Sequence, residues 1–140
     1  MITYFDTSAL LKVLIEEEGS QHAAMMWDTA DTIVSVSLVV VEGRAALAAA
    51  RRGRRLSASQ HRRAVDAFTS LADELALVEV TQTLVEEAAQ LAEDDGLRGY
   101  DAVHLAAALA VDATVLCSSD ADMCEAALRH GLHVANPLDP

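Results

Sequence analysis

The sequence predicts an α/β fold with a parallel central sheet of about five strands flanked by helices. Short runs rich in β-branched residues alternate with longer segments of helical periodicity, and this alternation is typical of βαβ units. The only two prolines lie at the extreme C-terminus, and we find no internal repeat or low-complexity linker. For 140 residues that are 52% hydrophobic, we therefore expect one domain, residues 1–140, with a single core.

Each predicted element has a local signal. Strands are predicted at short apolar runs, near residues 2–5, 32–36, 76–80, 113–117 and 132–135. Helices are predicted between them, most of them beginning at a Ser, Thr or Asp that can accept hydrogen bonds from free N–H groups. In chain order, the first predicted helix begins at Thr7 or Ser8 and ends near Glu17, and the second begins at Ser20 after Gly19. The third runs from Ser37 to about Arg52, the fourth from Ser57 or Ser59 to about Leu75, and the fifth from Thr83 to before Gly96. The sixth begins at Tyr100, and the seventh runs from Asp120 to Gly131.

Targeting segments and cysteine-based sites are not indicated. The N-terminus has no basic lead, and the apolar run at 105–111 is far too short to cross a bilayer. We therefore expect a soluble, cytoplasmic protein. Cys117 and Cys124 do not form a CxxC pair, and the five histidines match no zinc-binding pattern. A disulfide framework or structural zinc site is not expected.

The charge distribution is uneven. The net charge of -12 argues against unassisted binding of a polyanion, because Lys and Arg contacts to phosphate dominate nucleic-acid affinity. Yet seven of the ten basic residues fall within one twenty-residue stretch, as Arg44, Arg51, Arg52, Arg54, Arg55, Arg62 and Arg63. This stretch is either an RNA backbone contact, for which Arg51, Arg52, Arg54 and Arg55 are the candidates, or a solvated turn between helices.

Four acidic residues occupy positions that a parallel sheet would bring to one edge. Asp6 follows the first predicted strand, Asp101 opens a predicted helix, and Asp120 follows the fourth strand. Glu42 lies about one turn into the helix after the second strand. Because ligand sites of such folds lie at the carboxyl ends of the strands, these four residues are candidate site residues.

A cation is needed to offset four clustered carboxylates. Like charges roughly 4 Å apart repel by about 4 kcal/mol per pair at an effective dielectric near 20. Arg98 is the only basic residue next to any of the four, and oxygen ligands suit a hard cation such as Mg²⁺ or Mn²⁺. Two such ions can activate water and stabilise the departing oxygen of a phosphodiester. The sequence therefore indicates phosphodiester hydrolysis.

A purely structural interpretation remains open for each acid. An Asp near a helix N-terminus caps free N–H groups without any further function, and this is favoured for Asp6, Asp101 and Asp120 taken singly. Glu42 discriminates better, because it lies too deep in its helix to be a cap. Even so, a solvated residue or a partner of Arg44 or Lys12 is an alternative for Glu42.

The motifs together resemble PIN domains, and among them the VapC toxins of bacterial toxin–antitoxin pairs. The residues 1–10, with Asp6-Thr7-Ser8, look like the family's opening strand and first acid, and Ser37 to Glu42 looks like the second. Tyr100-Asp101-Ala102-Val103-His104 is similar to the most specific segment, and Ser118-Ser119-Asp120 resembles the closing motif. The match covers nearly the whole chain.

The resemblance implies a function and a set of site residues. Asp6, Glu42, Asp101 and Asp120 would bind Mg²⁺ or Mn²⁺ for endonucleolytic RNA cleavage, with the hydroxyls of Ser8 and Ser118 in support. Asp122 is a candidate additional metal acid, although a helix position without metal contact is favoured. The resemblance also implies a homodimer and a small antitoxin protein of the VapB type. His104 is assigned a structural role in preference to donation to a catalytic carboxylate or acid–base chemistry, and Arg98 meets either a phosphate or Asp101.

Two rival functions have distinguishable signatures. A receiver domain would need paired acids after its first strand and a lysine after its last, and a haloacid-dehalogenase-type phosphatase would need Asp-x-Asp. Here Thr7 and Ser8 follow Asp6 and the only lysine is Lys12, so both fit poorly. The second rival, a non-catalytic PIN-fold module that binds a protein partner, stays open, since sequence does not show that the acids can hold metal.

Overall fold

A computed structural model describes all 140 residues as five strands and seven helices. In chain order they are β1 (Ile2–Phe5), α1 (Thr7–Leu14), α2 (Ser20–Thr29), β2 (Thr32–Val36), α3 (Leu38–Arg52), α4 (Ala58–Asp73), β3 (Ala76–Val78), α5 (Gln82–Asp95), α6 (Gly99–Ala110), β4 (Val115–Cys117), α7 (Ala121–Arg129) and β5 (His133–Ala135). None of the helices combines the length and the hydrophobicity needed to cross a membrane.

The five strands form one parallel sheet in the order β3-β2-β1-β4-β5. The predicted α/β class and five-stranded parallel sheet are therefore confirmed. Strand β1 is central, between β2 and β4, and the strand order reverses direction there. This reversal is the point at which open α/β sheets form a crevice beside their carboxyl ends. Asp6 and Ser118 directly follow β1 and β4, so the fold brings both to that crevice.

Alternate side chains of β1 face the two layers of helices. Tyr4 belongs to the larger core cluster, with residues of α5, α6 and α7, whereas Phe5 belongs to a smaller cluster with residues of α1 and α3. This alternation is the two-residue period of a strand. Many of the buried residues of α6 are alanines, namely Ala102, Ala106, Ala107 and Ala108. Their small side chains allow α6 to lie close to the sheet, which carries Asp101 and His104 towards β1.

Several predicted helix starts differ from the structure. The cap of α1 is Asp6, whose Oδ1 accepts from the Ala9 N–H at 3.0 Å, and not Thr7 or Ser8. The cap of α5 is Thr81, two residues before the predicted Thr83. In both cases the earlier residue has an extended backbone, which points its side chain at the free N–H groups. Helix α2 follows Gly19, whose φ is 88°, and Ser20 is already helical.

Other predicted boundaries are too long by a few residues. Helix α1 ends at Leu14 and not near Glu17, because Ile15 adopts an extended backbone. Helix α4 ends at Asp73. The strands β3, β4 and β5 have only three residues each, since pairing with the neighbouring strands covers that length alone. Ser37 precedes α3 as predicted, but its side chain caps no N–H group.

A glycine fixes the packing of α3 beside Glu42. A Cβ atom added to Gly43 would lie 2.1 Å from the ring of Phe68 in α4, and that ring is buried. Only glycine therefore lets α3 and α4 approach this closely. The turn that joins these two helices carries the arginine-rich segment.

Candidate active site

Asp6 is the most buried of the four acids. It is 4% exposed, and its two oxygens are both occupied by hydrogen bonds from hydroxyl groups. Ser8 Oγ donates to Oδ1 at 2.7 Å, and Ser118 Oγ makes a short bond to Oδ2. The two hydroxyls that sequence resemblance implies as supporting contacts thus orient the Asp6 carboxylate. A charged acceptor makes such bonds stronger than bonds between neutral groups.

The segment after β4 is tied to the same carboxylate. The backbone N–H of Ser119 donates to Ser8 Oγ at 3.1 Å, and that of Asp120 donates to Ser118 Oγ at 3.0 Å. Asp120 Oδ1 accepts from the Met123 N–H at 3.0 Å and so caps α7. Capping therefore occurs for both Asp6 and Asp120, and each of them also lies just beyond the carboxyl end of a strand. The structural and the functional interpretations of these two residues are compatible.

Asp101 is not a cap. It is the third residue of α6, which begins after Arg98, and the only hydrogen bond to its carboxylate comes from Arg98 Nε, at 3.1 Å. Partial burial raises the pKa of Asp101, Arg98 lowers it, and the negative charges of Asp120 and Asp6 raise it again, with a net upward shift. The charged form of a carboxylate that lies near other carboxylates is stabilised when a cation binds beside it.

Arg98 bridges two of the acids. Its Nε contacts Asp101 Oδ2 and its Nη2 contacts Asp120 Oδ2, each at 3.1 Å. The side chain is 80% exposed, so it can swing into solvent at little cost. Of the two partners considered from sequence, Asp101 is the one that Arg98 contacts here, with Asp120 as a second.

Glu42, in α3, contacts side chains of α1 and α6. Its Oε1 accepts from Thr7 Oγ1 at 2.8 Å and lies 2.6 Å from His104 Nε2. Partial burial acts to raise the pKa of Glu42, but the hydrogen bonds from His104 and Thr7 and the charge of His104 hold it below its ordinary value. Neither Arg44 nor Lys12 pairs with Glu42; Lys12 contacts Glu17 at 3.0 Å instead. Side chains of two other helices therefore hold Glu42 in place.

An open cavity of about 360 Å³ adjoins these side chains. It is lined by Glu42, Arg98, Gly99, Tyr100 and Asp101. Asp122, in the first turn of α7, is exposed and makes no hydrogen bond or ion pair, although its charge contributes to the raised pKa of Arg98. Thr7 and Tyr4 were not among the site residues predicted from sequence. The hydroxyl of a tyrosine in a central strand was the available signal, because a buried hydroxyl needs a partner.

The four acids do not converge as a finished metal site. No three His, Cys, Asp or Glu side chains stand close enough together to hold an ion as they are arranged here. The donors are nevertheless all carboxylate and hydroxyl oxygens, which is the chemistry of a hard divalent cation. Arg98 already balances Asp101 and Asp120 with one positive charge, so a cation that took its place would meet the same two carboxylates. The residues therefore fit Mg²⁺ or Mn²⁺, provided that Arg98 moves aside.

The arginine-rich segment lies away from the acids. Arg51, Arg52, Arg54 and Arg55 are exposed at the turn between α3 and α4, about 15 Å from Glu42 along the axis of α3 at roughly 1.5 Å per residue. None of them forms an ion pair with another side chain. Arg54 has a φ of 61°, a conformation that normally favours glycine.

Known proteins are similar to this chain in sequence and in fold. The PIN domain family model matches residues 3–128. Ribonuclease VapC45 of Mycobacterium tuberculosis (strain CDC 1551 / Oshkosh) is 44% identical over 110 residues, which are 79% of this chain and 76% of that protein. The crystal structure of Mycobacterium tuberculosis VapC20, a sarcin–ricin loop cleaving toxin, matches with a TM-score of 0.69 at 20% identity, over 89% of this chain and 94% of that one. A toxin–antitoxin complex from Klebsiella pneumoniae matches with a TM-score of 0.63 at 18% identity, over 96% and 97% of the two chains.

Proposed function

Because the chain belongs to the PIN domain family, we propose that it is a metal-dependent endoribonuclease and the toxin of a type II toxin–antitoxin pair. The observation that carries this proposal is the set of carboxylates around the crevice beside β1. There Arg98 bridges Asp101 and Asp120, and two hydroxyls hold Asp6. The 44% identical relative is a ribonuclease, which supports RNA as the substrate.

In this proposal Asp6, Glu42, Asp101 and Asp120 hold Mg²⁺ or Mn²⁺. The ion would polarise the scissile phosphate and lower the pKa of an attacking water. The protein contributes the orientation of its ligands: Ser8 and Ser118 fix Asp6, and Thr7 fixes Glu42. Arg98, released from Asp101, can pair with a phosphate oxygen of the RNA beside the cavity that it lines.

The arginine turn is the proposed contact for the RNA backbone. Its four arginines have no internal partner, and their charge is concentrated on an otherwise acidic chain of net charge -12. Arg54 holds a left-handed backbone in which a side chain costs about 1 kcal/mol, although Gly53 stands directly before it. A strained arginine at an exposed turn favours a binding role over a solvated turn.

We expect Arg54→Gly to raise stability and weaken RNA binding. The free energy of unfolding should rise by about 1 kcal/mol, because glycine adopts a positive φ without strain. In metal-free buffer, the plot of log binding constant against log salt should become shallower by about 0.7, the value for one phosphate contact on single-stranded RNA. Arg54→Lys is the matched control, since it keeps both the charge and the strain. Unchanged affinity and slope in the glycine variant would exclude Arg54 from the interface.

The proposed partners are an antitoxin and a second copy of the chain. A fold match is a component of a toxin–antitoxin complex, which supports a small antitoxin protein of the VapB type. The resemblance to VapC toxins supports a homodimer. Exposed apolar side chains, including Val41, Tyr100 and Leu128 at 60% exposure or more, provide surface that such partners can cover.

The proposal predicts cleavage that depends on metal. We expect the purified, partner-free chain to cut a structured cellular RNA pool with Mg²⁺ or Mn²⁺, and EDTA to abolish the cutting because the carboxylates then repel the phosphate. Restoring excess Mn²⁺ should restore the activity. The absence of cutting with every metal would contradict the proposal and favour a non-catalytic module that binds a protein partner. That alternative has one observation in its favour, namely that no three ligands converge here.

A further inference from the structure

Two buried side chains connect the core of the sheet to Glu42. Tyr4 Oη in β1 lies 2.7 Å from His104 Nδ1 in α6, and His104 Nε2 lies 2.6 Å from Glu42 Oε1 in α3. Tyr4 is 0% and His104 is 2% exposed. These hydrogen bonds thus link three elements: β1, which precedes Asp6, α6, which carries Asp101, and α3, which carries Glu42.

The chemistry of the three groups sets the direction of the hydrogen bonds at Glu42. An ionised carboxylate can only accept, so His104 Nε2 carries a proton and donates it. With Tyr4 bonded to Nδ1, both ring nitrogens are occupied by protein groups. Because the ring is also buried, His104 cannot exchange a proton with a substrate. This arrangement favours the structural role assigned to His104 over direct acid–base catalysis, the alternative left by the sequence.

Only one of the two Glu42 oxygens is held. Oε1 receives both Thr7 Oγ1 and His104 Nε2, whereas Oε2 receives no hydrogen bond from the protein. The Glu42 side chain lines the same cavity as Asp101. Anchoring one oxygen leaves the other available to a ligand in the cavity.

We propose that Tyr4 and His104 are positioning residues that hold Glu42 by one oxygen and present the other to the bound cation. This inference rests on the proposed function and assigns roles to two residues that touch neither metal nor substrate. Partners that orient a metal ligand in this way typically change metal affinity or activity by about 10- to 100-fold when they are removed.

The test compares two replacements of His104 and one of Tyr4. His104→Leu removes the donor and keeps an apolar side chain, whereas the terminal NH₂ of His104→Gln can replace Nε2–H. Tyr4→Phe deletes only the hydroxyl. We expect His104→Leu to weaken Mn²⁺ binding, measured from free Mn²⁺ by electron paramagnetic resonance, by about 10-fold or more. His104→Gln should recover most of this loss, and Tyr4→Phe should show a smaller loss.

A second measurement separates positioning from folding and from the proposed function. In metal-free protein, NMR couplings of labelled Glu42 should report one side-chain rotamer in the unaltered chain and in His104→Gln, and averaging in His104→Leu. Equal Mn²⁺ affinity in the unaltered chain and in His104→Leu would overturn the inference, as would a Gln variant no better than Leu. If the unaltered chain binds no Mn²⁺, the proposed function fails first and the positioning role fails with it.

Discussion

Replacement of Asp101 by Asn is expected to abolish RNA cleavage and leave the fold intact. The amide keeps the size of the side chain but removes one of the charges that would hold the cation. We expect the rate to fall by more than about a hundredfold, which corresponds to roughly 2.7 kcal/mol of lost transition-state stabilisation. Asp101 caps no helix, and its partner Arg98 is 80% exposed, so stability should change by no more than about 0.5 kcal/mol. Cleavage of the RNA pool and circular dichroism measure the two effects.

Asp122→Asn is the matched control for this experiment. It makes the same substitution in the first turn of a neighbouring helix, at an exposed residue with no hydrogen bond or ion pair. We expect it to cut RNA at nearly the normal rate. Full activity of Asp101→Asn, with the metal content verified, would remove Asp101 from the site, and loss of activity in both variants would instead implicate Asp122 as well.

Replacement of Asp6 by Ala is expected to abolish cleavage and also destabilise the protein. Asp6 both caps α1 and accepts from two hydroxyls, one of which belongs to the buried Ser118. Losing the cap costs about 1 kcal/mol, and leaving a buried hydroxyl without its acceptor costs about 1–3 kcal/mol more. Urea unfolding should therefore show a loss of about 2–4 kcal/mol.

Two further variants separate the roles of Asp6. Asp6→Asn keeps an oxygen that can cap α1, so we expect it to recover most of the stability and none of the activity. Thr81→Ala removes the cap of α5, whose preceding strand β3 lies two strands away from β1. It should lose about 1 kcal/mol of stability and remain active. If Asp6→Asn cuts RNA normally, the charge of Asp6 has no part in the reaction.

The positions of the acids were predictable because they depend on topology. Once the alternation of strands and helices indicates a parallel sheet, a residue that directly follows a strand must lie at the carboxyl edge. Asp6 directly follows β1, and Asp120 lies three residues after the end of β4. Their capping role was predictable for the same reason, although the helix-start signals also offered Thr7 and Ser8 as caps of α1, and Asp6 is the cap. That Asp101 caps nothing follows from the start of α6 at Gly99, a boundary that propensity alone does not fix.

The sequence by itself determined the fold class, the edge of the sheet that carries the acids, and the oxygen chemistry of the site. These properties follow from periodicity and residue type, which are local. The tertiary structure alone decided that Arg98 bridges Asp101 and Asp120, and that His104 joins Tyr4 to Glu42. The pairs Arg98–Asp120, Glu42–His104 and Tyr4–His104 lie 22, 62 and 100 positions apart along the chain. Contacts across such distances depend on how closely α6 packs against β1, and that packing is set by the alanines of the helix and by the whole core.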